Sequence, residues 1–305
     1  MKRNSYIFLL TTVTVCCLAM AASRPHSADG RPDYTDSVNA DSIAFCSAHW
    51  QSYENNGFIL KKLAITDNSL FASNQFMTLI VIPHDSKRRL AFSIAKDTLL
   101  TTSELALRSD AFAAVNGSYF DMKFYNPVCY LRINGEELGE NTPSKEDSIN
   151  RKYYQYASIR LINGRPRLFI PDSSRLYEHN RPDSNIMTAG PMLLWHGERV
   201  PQRDDRTFVT YRHNRTALGI TADGAVLLLT ADGRFKNQAE GFSLYELASV
   251  MKWLGCVNAI NLDGGGSTTM FVRGRPNGGI LNHPSDNNRF DFKGERPVSN
   301  AILVL

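Results

Sequence analysis

Cysteine is scarce in this 305-residue sequence, and the few cysteines are not spaced for metal or redox chemistry. Of the five, Cys16 and Cys17 lie in the apolar start of the chain, and Cys46, Cys129 and Cys256 follow later. No CxxC pair and no Cys/His cluster at zinc spacing occurs, which excludes zinc-ribbon and thioredoxin-type motifs. Three later cysteines allow at most one internal disulfide, and the sequence leaves its pairing open.

A surplus of one sign of charge is missing as well. The sequence has 34 Lys and Arg against 30 Asp and Glu, a net charge of +4, and Lys2 and Arg3 account for two of these charges. A nucleic-acid-binding protein usually shows a clustered basic excess, so we expect no nucleic-acid partner. Hydrophobic residues make up 43% and charged residues 21%, an ordinary globular composition that excludes a disordered or collagen-like chain.

The start of the chain has the pattern of a secretory signal peptide. A basic beginning is followed by apolar or small residues over 6–22, with small residues at the expected cleavage position. Val15 stands where a lipidation motif needs a small residue, which argues against an anchor at Cys16 or Cys17. No later segment is long and apolar enough to span a membrane. We therefore predict a signal peptide at residues 1–22 and an exported protein, periplasmic or extracellular.

Short strand-like runs bounded by Gly, Pro, Asn or Asp dominate the remainder. Polar residues 23–42 predict a flexible linker, and residues 43–111 predict a strand-rich region of the same fold as residues 112–305. Further polar stretches at 145–152 and 178–184 predict surface loops. The predicted strands cover residues 58–65, 77–82, 90–95, 112–115, 128–133, 159–162, 168–170, 192–195, 217–221, 226–230, 257–262, 269–272 and 301–305.

Helices are few by the same analysis. Residues 101–108 predict one short helix, and residues 243–254 predict a longer one with apolar side chains on a single stripe. Ser243 and Glu246 have the spacing of a capping box, and Gly255 predicts the helix end. Many strands and few helices, without regular alternation, predict an α+β fold with mixed sheets.

The strongest chemical signal lies at residues 261–269, where an apolar strand ends in an aspartate, three glycines and three hydroxyl residues. Glycines leave backbone N–H groups open to an anion, and Asp263 would place a carboxylate beside them. No Lys-Ser/Thr pair follows, so this is not the phosphate loop of an NTPase, nor is it a dinucleotide fingerprint. Taken alone, the run could also be a glycine-rich turn capped by an aspartate.

Several segments resemble, in order, the motifs of the phosphodiester glycosidase family. The core match is residues 259–269, and the other matching segments are 114–121, 189–191, 215–219, 232–234, 241–244, 246–248 and 295–301. The resemblance runs from about residue 112 to residue 305. It implies hydrolysis of the bond between a sugar's anomeric carbon and a phosphodiester oxygen, of the N-acetylglucosamine-1-phosphodiester type, in a glycan or sugar-phosphate polymer. The stretch between residues 286 and 295 is longer than the family pattern.

The resemblance implies roles for particular residues. An oxocarbenium-like transition state needs a carboxylate near the anomeric carbon, for which Asp263 is the first candidate and Asp121 the second. Glu295 is a further candidate, or it simply pairs with its neighbour Arg296. Because guanidinium groups bind phosphate bidentately, Arg215 and Arg296 are the candidate phosphate ligands. The predicted substrate-binding groups are Asn116, the amides of Gly264, Gly265 and Gly266, and the side chains of Ser267, Thr268 and Asn300.

A divalent cation is a further option at such a site, because Asp121, Asp263 and Asp286 offer hard oxygen ligands. No EF-hand spacing occurs, and no obligatory cofactor is predicted. Asp121 could instead cap a turn. For His213 the sequence favours a solvated loop residue over a proton shuttle.

Two other functions stay open on the sequence alone. A non-catalytic carbohydrate-binding protein could share the fold, as the longer loop and the unmatched region 43–111 would allow. A metal-dependent phosphodiesterase would cut the P–O bond and leave the C–O bond intact.

Overall fold

Short strands separated by turns form three antiparallel sheets in the described part of this protein. The structure, a computed structural model, describes residues 38–55, 57–145, 149–202 and 207–305. The predicted signal peptide and residues 23–37 of the predicted linker lie outside the described residues. The first helix begins at Ala40, so the last residues of that predicted linker are helical. Residues 40–305 form one compact unit.

The largest sheet has eight strands and the other two have five and four. In spatial order the eight-stranded sheet contains β1 (Gln51–Asn55), β2 (Phe58–Leu70), β3 (Ser73–Ile82), β14 (Val226–Ala231), β13 (Arg215–Thr221), β15 (Cys256–Asn261), β11 (Met192–Trp195) and β12 (Glu198–Arg199). The five-stranded sheet contains β7 (Glu136–Gly139), β6 (Leu131–Ile133), β10 (Ile186–Ala189), β8 (Ala157–Ile162) and β9 (Arg165–Phe169). The four-stranded sheet contains β16 (Met270–Val272), β5 (Ala113–Asn116), β17 (Asn300–Val304) and β4 (Leu90–Ile94).

The α-helices of the described residues are α1 (Ala40–Ser47), α2 (Thr102–Arg108), α3 (Thr207–Thr210) and α4 (Leu244–Trp253). The predicted α+β class is confirmed, because strands predominate over these few helices. The predicted cap of α4 is present: Glu246 N donates to Ser243 Oγ at 3.2 Å, and Ser243 N donates to Glu246 Oε2 at 2.8 Å. These reciprocal bonds satisfy two N–H groups that the first turn of a helix leaves without a partner.

Successive side chains of a strand point to opposite faces of the sheet, so a sheet can contribute to a separate hydrophobic cluster on each face. In β14, Val226 and Leu228 face the cluster shared by the three sheets, whereas Leu227 and Leu229 face the cluster that α4 covers. In the four-stranded sheet, alternate residues of β17 face the shared cluster and the cluster that α2 covers. The central strands of the eight-stranded sheet are therefore buried on both faces.

The region that matches no motif, residues 43–111, supplies strands to two of the sheets. β3 pairs with β14 from Ile82↔Val226 to Met77↔Ala231. β4 pairs with β17 from Leu90↔Val304 to Ile94↔Asn300. Because the end of β14 and the start of β17 lie near the glycine-rich segment, this region helps to hold the strand ends around it.

The prediction of two surface loops at 145–152 and 178–184 is wrong at two charged residues. Arg151 and Glu178 form an ion pair at 2.8 Å, and the side chains of both are 0% exposed. Glu178 also accepts hydrogen bonds from Ser158 Oγ, Thr188 Oγ1 and Asn141 Nδ2. Polarity suggested exposure, but a charge can be buried when a partner charge and several donors surround it.

The cysteines form no disulfide among the described residues. Cys46 is exposed, and Cys129 and Cys256 are buried thiols. Burial raises the pKa of the Cys256 thiol to about 12 and that of Cys129 still further, so both stay neutral. Within the described part of the chain, no helix combines the length and apolar character needed to span a membrane.

Candidate active site

The glycine-rich segment forms a bend, residues 262–269, that joins two sheets. It leaves β15 of the eight-stranded sheet after Asn261 and enters β16 of the four-stranded sheet at Met270. One turn of 3₁₀ helix, Gly265–Ser267, lies in the middle. Asp263 N donates to Gly117 O at 3.1 Å, which fixes the bend to the end of β5. This glycine bend therefore lies where strand ends of both sheets meet.

Each of its three glycines is needed for close approach of a different group. A Cβ on Gly264 would lie 2.6 Å from Asn214 O, and one on Gly265 would lie 2.7 Å from the guanidinium of Arg234. A Cβ on Gly266 would lie 2.7 Å from Asp286 Oδ1 and would overlap the guanidinium of Arg296. Gly265 also has a φ of 60°, a conformation that favours glycine.

The prediction that all three amides are free for an anion is corrected by the hydrogen bonds. Gly264 N donates to Asp263 Oδ1 at 2.9 Å, and Gly265 N donates to Asn214 O at 2.9 Å. Two of the three donors are thus already bonded to protein acceptors. The glycines instead make room for two guanidinium groups, which are stronger anion ligands than neutral amides.

Asp263 lies at the start of the bend and is half-buried. Desolvation raises the pKa of Asp263 to about 6, while Ser267, the Gly264 N–H and the guanidinium groups of Arg296 and Arg234 act in the lowering direction. The Ser267 hydroxyl lies near this carboxylate without a hydrogen bond of normal geometry. Asp263 is therefore ionised at neutral pH and protonated in mild acid.

Two guanidinium groups flank this carboxylate. Arg234 is exposed and makes no ion pair with any residue that the structure describes. Arg296 is half-buried, and its Nε lies 2.7 Å from Asp286 Oδ1. Both guanidinium groups thus pack on the glycine bend near Asp263, and Asp286 balances the charge of Arg296.

The position of Arg234 is fixed by a buried carboxylate two residues earlier. Asp232 Oδ2 accepts a hydrogen bond from His283 N at 2.9 Å, and Asp232 Oδ1 accepts one from Asn282 Nδ2 at 3.1 Å. Asn282 Nδ2 also donates to Thr268 O at 3.0 Å. The end of β14 is thereby connected to the glycine bend through three buried residues.

Arg215, a predicted phosphate ligand, faces protein carbonyls. Its Nε donates to Phe242 O at 2.8 Å, and its Nη2 donates to Phe208 O at 2.8 Å and to Tyr211 O at 3.1 Å. Its side chain is buried, and desolvation lowers the pKa of Arg215 to about 10. These contacts assign Arg215 to holding the loop before β13, and Arg234 takes the place at the bend that we expected for Arg215.

His213 is not the solvated loop residue that the sequence favoured. It is half-buried, and desolvation together with the guanidinium groups of Arg215 and Arg234 lowers the pKa of His213 to about 4. A neutral imidazole therefore lies next to Arg234 at neutral pH. Sequence reasoning missed Arg234, although it lies in the matching segment 232–234.

Several predicted substrate ligands are fully buried and bonded within the protein. Asn116 Nδ2 donates to Asp263 O at 2.7 Å, and its Oδ1 accepts from Thr216 Oγ1 at 2.8 Å. Asn300 Oδ1 accepts from Ser118 N at 2.7 Å. Thr268 is buried, and its Oγ1 lies 3.3 Å from Thr216 Oγ1. These side chains position the bend, and in this arrangement they are not available to a sugar.

The other predicted carboxylates bond to backbone groups of their own surroundings. Asp121 Oδ1 accepts from Lys123 N at 2.7 Å and from Phe124 N at 3.0 Å, which is the turn-capping alternative. Glu295 Oε1 accepts from Ser103 N at 2.8 Å, at the start of α2, and it does not pair with Arg296. Among the described residues, no group of three His, Cys, Asp or Glu side chains is placed to share a metal ion.

Two aromatic side chains, Tyr119 and Tyr154, lie near enough to Asp263 for its charge to act on them. The rings of Tyr119 and Tyr154 lie 4.7 Å apart, and Phe208 lies 6.2 Å from Tyr119. Tyr119 Oη donates to Gly190 O at 2.8 Å and accepts from Asn261 Nδ2 at 2.7 Å, so its ring is held rigidly.

Comparison with known proteins gives one family match. A model of the phosphodiester glycosidase family matches residues 109–305. Human N-acetylglucosamine-1-phosphodiester alpha-N-acetylglucosaminidase is 37% identical over 225 residues, which cover 67% of this chain and 39% of the human protein. The mouse protein of the same name is 37% identical over 98 residues, covering 32% of this chain and 18% of that protein. The uncharacterized protein YomE of Bacillus subtilis is 26% identical over 197 residues, covering 61% of this chain and 27% of YomE.

Solved structures share the fold at low sequence identity. The zebrafish N-acetylglucosamine-1-phosphodiester alpha-N-acetylglucosaminidase catalytic domain, auto-inhibited by its pro-peptide, superposes with a TM-score of 0.59 at 18% identity, covering 87% of this chain and 93% of that chain. A hypothetical protein from Synechocystis superposes with a TM-score of 0.58 at 16% identity, covering 85% of this chain and 64% of that chain. The matched part of this chain thus spans less than half of the curated relatives and nearly all of the zebrafish catalytic domain.

Proposed function

Because the chain belongs to the phosphodiester glycosidase family, we propose that it hydrolyses the bond between the anomeric carbon of a sugar and the oxygen of a phosphodiester. The observation that carries this proposal is the position of Arg234 and Arg296 on the glycine bend, where both guanidinium groups act on the Asp263 carboxylate. N-acetylglucosamine-1-phosphodiesters are the proposed substrate type, since the human and zebrafish relatives are named for that substrate.

The two guanidinium groups suit the charge of such a substrate. A phosphodiester carries one negative charge, and planar guanidinium groups bind its two non-bridging oxygens with directed hydrogen bonds. As the C–O bond breaks, negative charge grows on the departing phosphate monoester, and fixed positive groups stabilise it. The leaving group is already acidic, so it needs little protonation, and the neutral imidazole of His213 suits a site without a strong general acid.

Asp263 supplies the carboxylate that an oxocarbenium-like transition state requires. With a pKa of about 6 it is ionised at neutral pH, and desolvation leaves it weakly hydrated and reactive. It acts at the anomeric carbon either as the nucleophile or as the base that takes a proton from water. A glycosyl-enzyme intermediate with retention would identify the nucleophile, and inversion would identify the base.

The balanced reaction uses one water and gives two products. Water supplies the hydroxyl group on the anomeric carbon and the proton released to solvent, and the phosphodiester leaves as a phosphate monoester. A metal-dependent phosphodiesterase would instead place the oxygen of water on phosphorus. The two reactions therefore differ in the product that receives the oxygen from water.

The test is hydrolysis of the α-N-acetylglucosamine-1-phosphate methyl diester in ¹⁸O-water, with mass spectrometry of both products. Label in N-acetylglucosamine, and methyl phosphate free of label, supports the proposal. Label in the phosphate would overturn it in favour of P–O cleavage. Glycan binding that is unchanged in Asp263→Asn, without turnover of any sugar-1-phosphodiester tried, would favour the non-catalytic carbohydrate-binding alternative.

The proposed location is outside the cytoplasm, because the leader-like composition of residues 1–22 is that of a secretory signal. Cell fractionation with N-terminal sequencing tests this. A mature protein that begins near residue 23 in the exported fraction supports it, and an intact Met1 in the cytoplasmic fraction would contradict it.

A further inference from the structure

Asp286 occupies an unusual position for a carboxylate, since it lies directly beside the proposed phosphate ligands. Its Oδ1 lies 2.7 Å from Arg296 Nε and 2.5 Å from Arg296 Nη2. The same oxygen would lie 2.7 Å from a Cβ placed on Gly266. A negative group thus contacts both the guanidinium and the glycine bend.

The backbone holds this carboxylate in place independently of the arginine. Asp286 N donates to Gly294 O at 3.2 Å. The preceding residue, Ser285, donates through Oγ to Asn214 Oδ1 at 3.2 Å, and Asn214 O in turn accepts from Gly265 N. The segment that carries Asp286 is therefore held by Gly294 on one side and, through Ser285 and Asn214, connected to the bend on the other.

The ion pair is open to solvent, so an incoming anion can reach it. The side chain of Arg296 is 23% exposed and that of Asp286 is 35% exposed. A phosphate that binds Arg296 must lie close to the Asp286 carboxylate. The resulting repulsion grows in proportion to the charge of the phosphate.

Charge distinguishes the substrate of the proposed reaction from its product. A phosphodiester carries a single negative charge, whereas a phosphate monoester approaches two at neutral pH, because its second pKa is about 6. Without an opposing group, a pair of guanidinium groups would bind the more highly charged product more tightly than the substrate.

We infer that Asp286 is a specificity-determining residue that disfavours dianionic phosphate, so that the site binds phosphodiesters and releases the phosphate monoester product. This inference rests on the proposed function, because it assigns the substrate and product by charge. The segment that begins at Asp286 thereby gains a role in selectivity.

A purely structural role for Asp286 predicts the opposite result. If the carboxylate only held Arg296 in its binding orientation, its removal would weaken the binding of every anion. The selectivity role predicts that removal strengthens anion binding, and strengthens it more for the dianion.

The experiment measures binding of methyl phosphate and dimethyl phosphate at pH 7.5 by ³¹P NMR titration. We expect Asp286→Asn to tighten methyl phosphate binding by about ten-fold and dimethyl phosphate binding by about three-fold, since the repulsion on a dianion is twice that on a monoanion. Asp286→Glu, which keeps the charge, should stay near the wild type. Asp110→Asn is the matched control, because it removes a carboxylate from the exposed ion pair with Arg273, at the opposite end of β5.

Equal or weaker binding of methyl phosphate by Asp286→Asn than by the wild type would overturn the inference. Equal tightening by Asp110→Asn would overturn it too, since the effect would then reflect net charge alone. The binding assay needs no turnover, so it separates two failures. If Asp286→Asn tightens the binding of methyl phosphate more than that of dimethyl phosphate but no diester is hydrolysed, the role of Asp286 in selectivity is supported and the proposed enzymatic function is contradicted. If diesters are hydrolysed but the binding of the two phosphates does not change selectively, only the role of Asp286 is contradicted.

Discussion

Two guanidinium–carboxylate pairs in this molecule have the same chemistry and opposite surroundings. Arg151 and Glu178 form their pair where both side chains are 0% exposed, and Glu178 accepts further hydrogen bonds from Ser158, Thr188 and Asn141. Arg296 and Asp286 form their pair at the glycine bend, where their side chains are 23% and 35% exposed.

The difference shows how to distinguish a structural charge from a functional one. In the buried pair every strong donor and acceptor has a protein partner, so nothing is left for a ligand and removal of one partner leaves an uncompensated charge. In the half-exposed pair the guanidinium keeps solvent-facing N–H groups, and its ion pair adds little stability. Whether the hydrogen-bonding groups of a charged residue are all bonded within the protein, rather than the residue type, therefore distinguishes a structural role from a functional one.

The largest expected effect comes from Asp263→Asn, at the glycine bend that also carries the half-exposed Arg296–Asp286 pair. We expect kcat for the N-acetylglucosamine phosphodiester to fall by at least about 10³-fold, because the reacting carboxylate is lost. Thermal unfolding at pH 7.5 should show a variant at least as stable as the wild type, since desolvation disfavours the ionised Asp263. A variant that keeps more than a tenth of the activity would remove Asp263 from the mechanism.

On the structural side, Arg151→Met should lower the free energy of unfolding by about 3–5 kcal/mol, because it leaves Glu178 buried without its charge partner. The matched control is Lys96→Met, which breaks the exposed Lys96–Glu136 pair and should cost less than about 1 kcal/mol. Urea denaturation measures both variants. Similar losses in the two would show that burial does not separate these pairs.

A smaller effect is expected for Arg296→Gln. We expect kcat/KM to fall by about 100-fold, as for the loss of one donor to a developing anion. Its stability should change by less than about 1 kcal/mol, because the ion pair it breaks is half-exposed. Steady-state kinetics and urea denaturation on the same preparation test both parts. A large loss of stability with unchanged kinetics would make Arg296 structural, like Arg151.

The smallest effect is a pH dependence with opposite signs for activity and stability. Asp263 has a folded-state pKa of about 6 and an ordinary value of 3.8, so the folded state binds the extra proton between these limits. Its contribution to stability is therefore lost as pH rises through about 6, whereas activity, which needs the ionised form, is lost as pH falls through it. Profiles of kcat and of unfolding against pH, with Asp263→Asn as the reference, test this. A kcat that stays constant down to pH 4.5 would contradict it.

Much of the fold was readable from local patterns. The predicted strand at 192–195 coincides with β11, and the predicted helix at 243–254 coincides with α4 and its cap. Apolar alternation and turn residues act over a few neighbours, so a single sequence carries them. The strands β1, β7, β10 and β12 escaped prediction, because short or polar strands gain their stability from pairing partners elsewhere in the chain.

The candidate site was readable only in part. The triple glycine identified the bend, and the structure places Asp263 and Arg296 beside it. Arg215 does not lie beside the bend with a free guanidinium, because that group donates to the carbonyls of Phe208, Tyr211 and Phe242. The residues next to an arginine in sequence do not indicate which acceptors its guanidinium will contact in the folded protein.

The sequence by itself determined the strand-rich α+β class, the capped helix and the order of motifs ending in the glycine bend, since each depends on residues close in the chain. Only the tertiary structure decided which charges are buried with partners and which stay open at the bend. Burial and pairing depend on groups that lie far apart in sequence, and their energies change with the surrounding solvent as much as with the residues themselves.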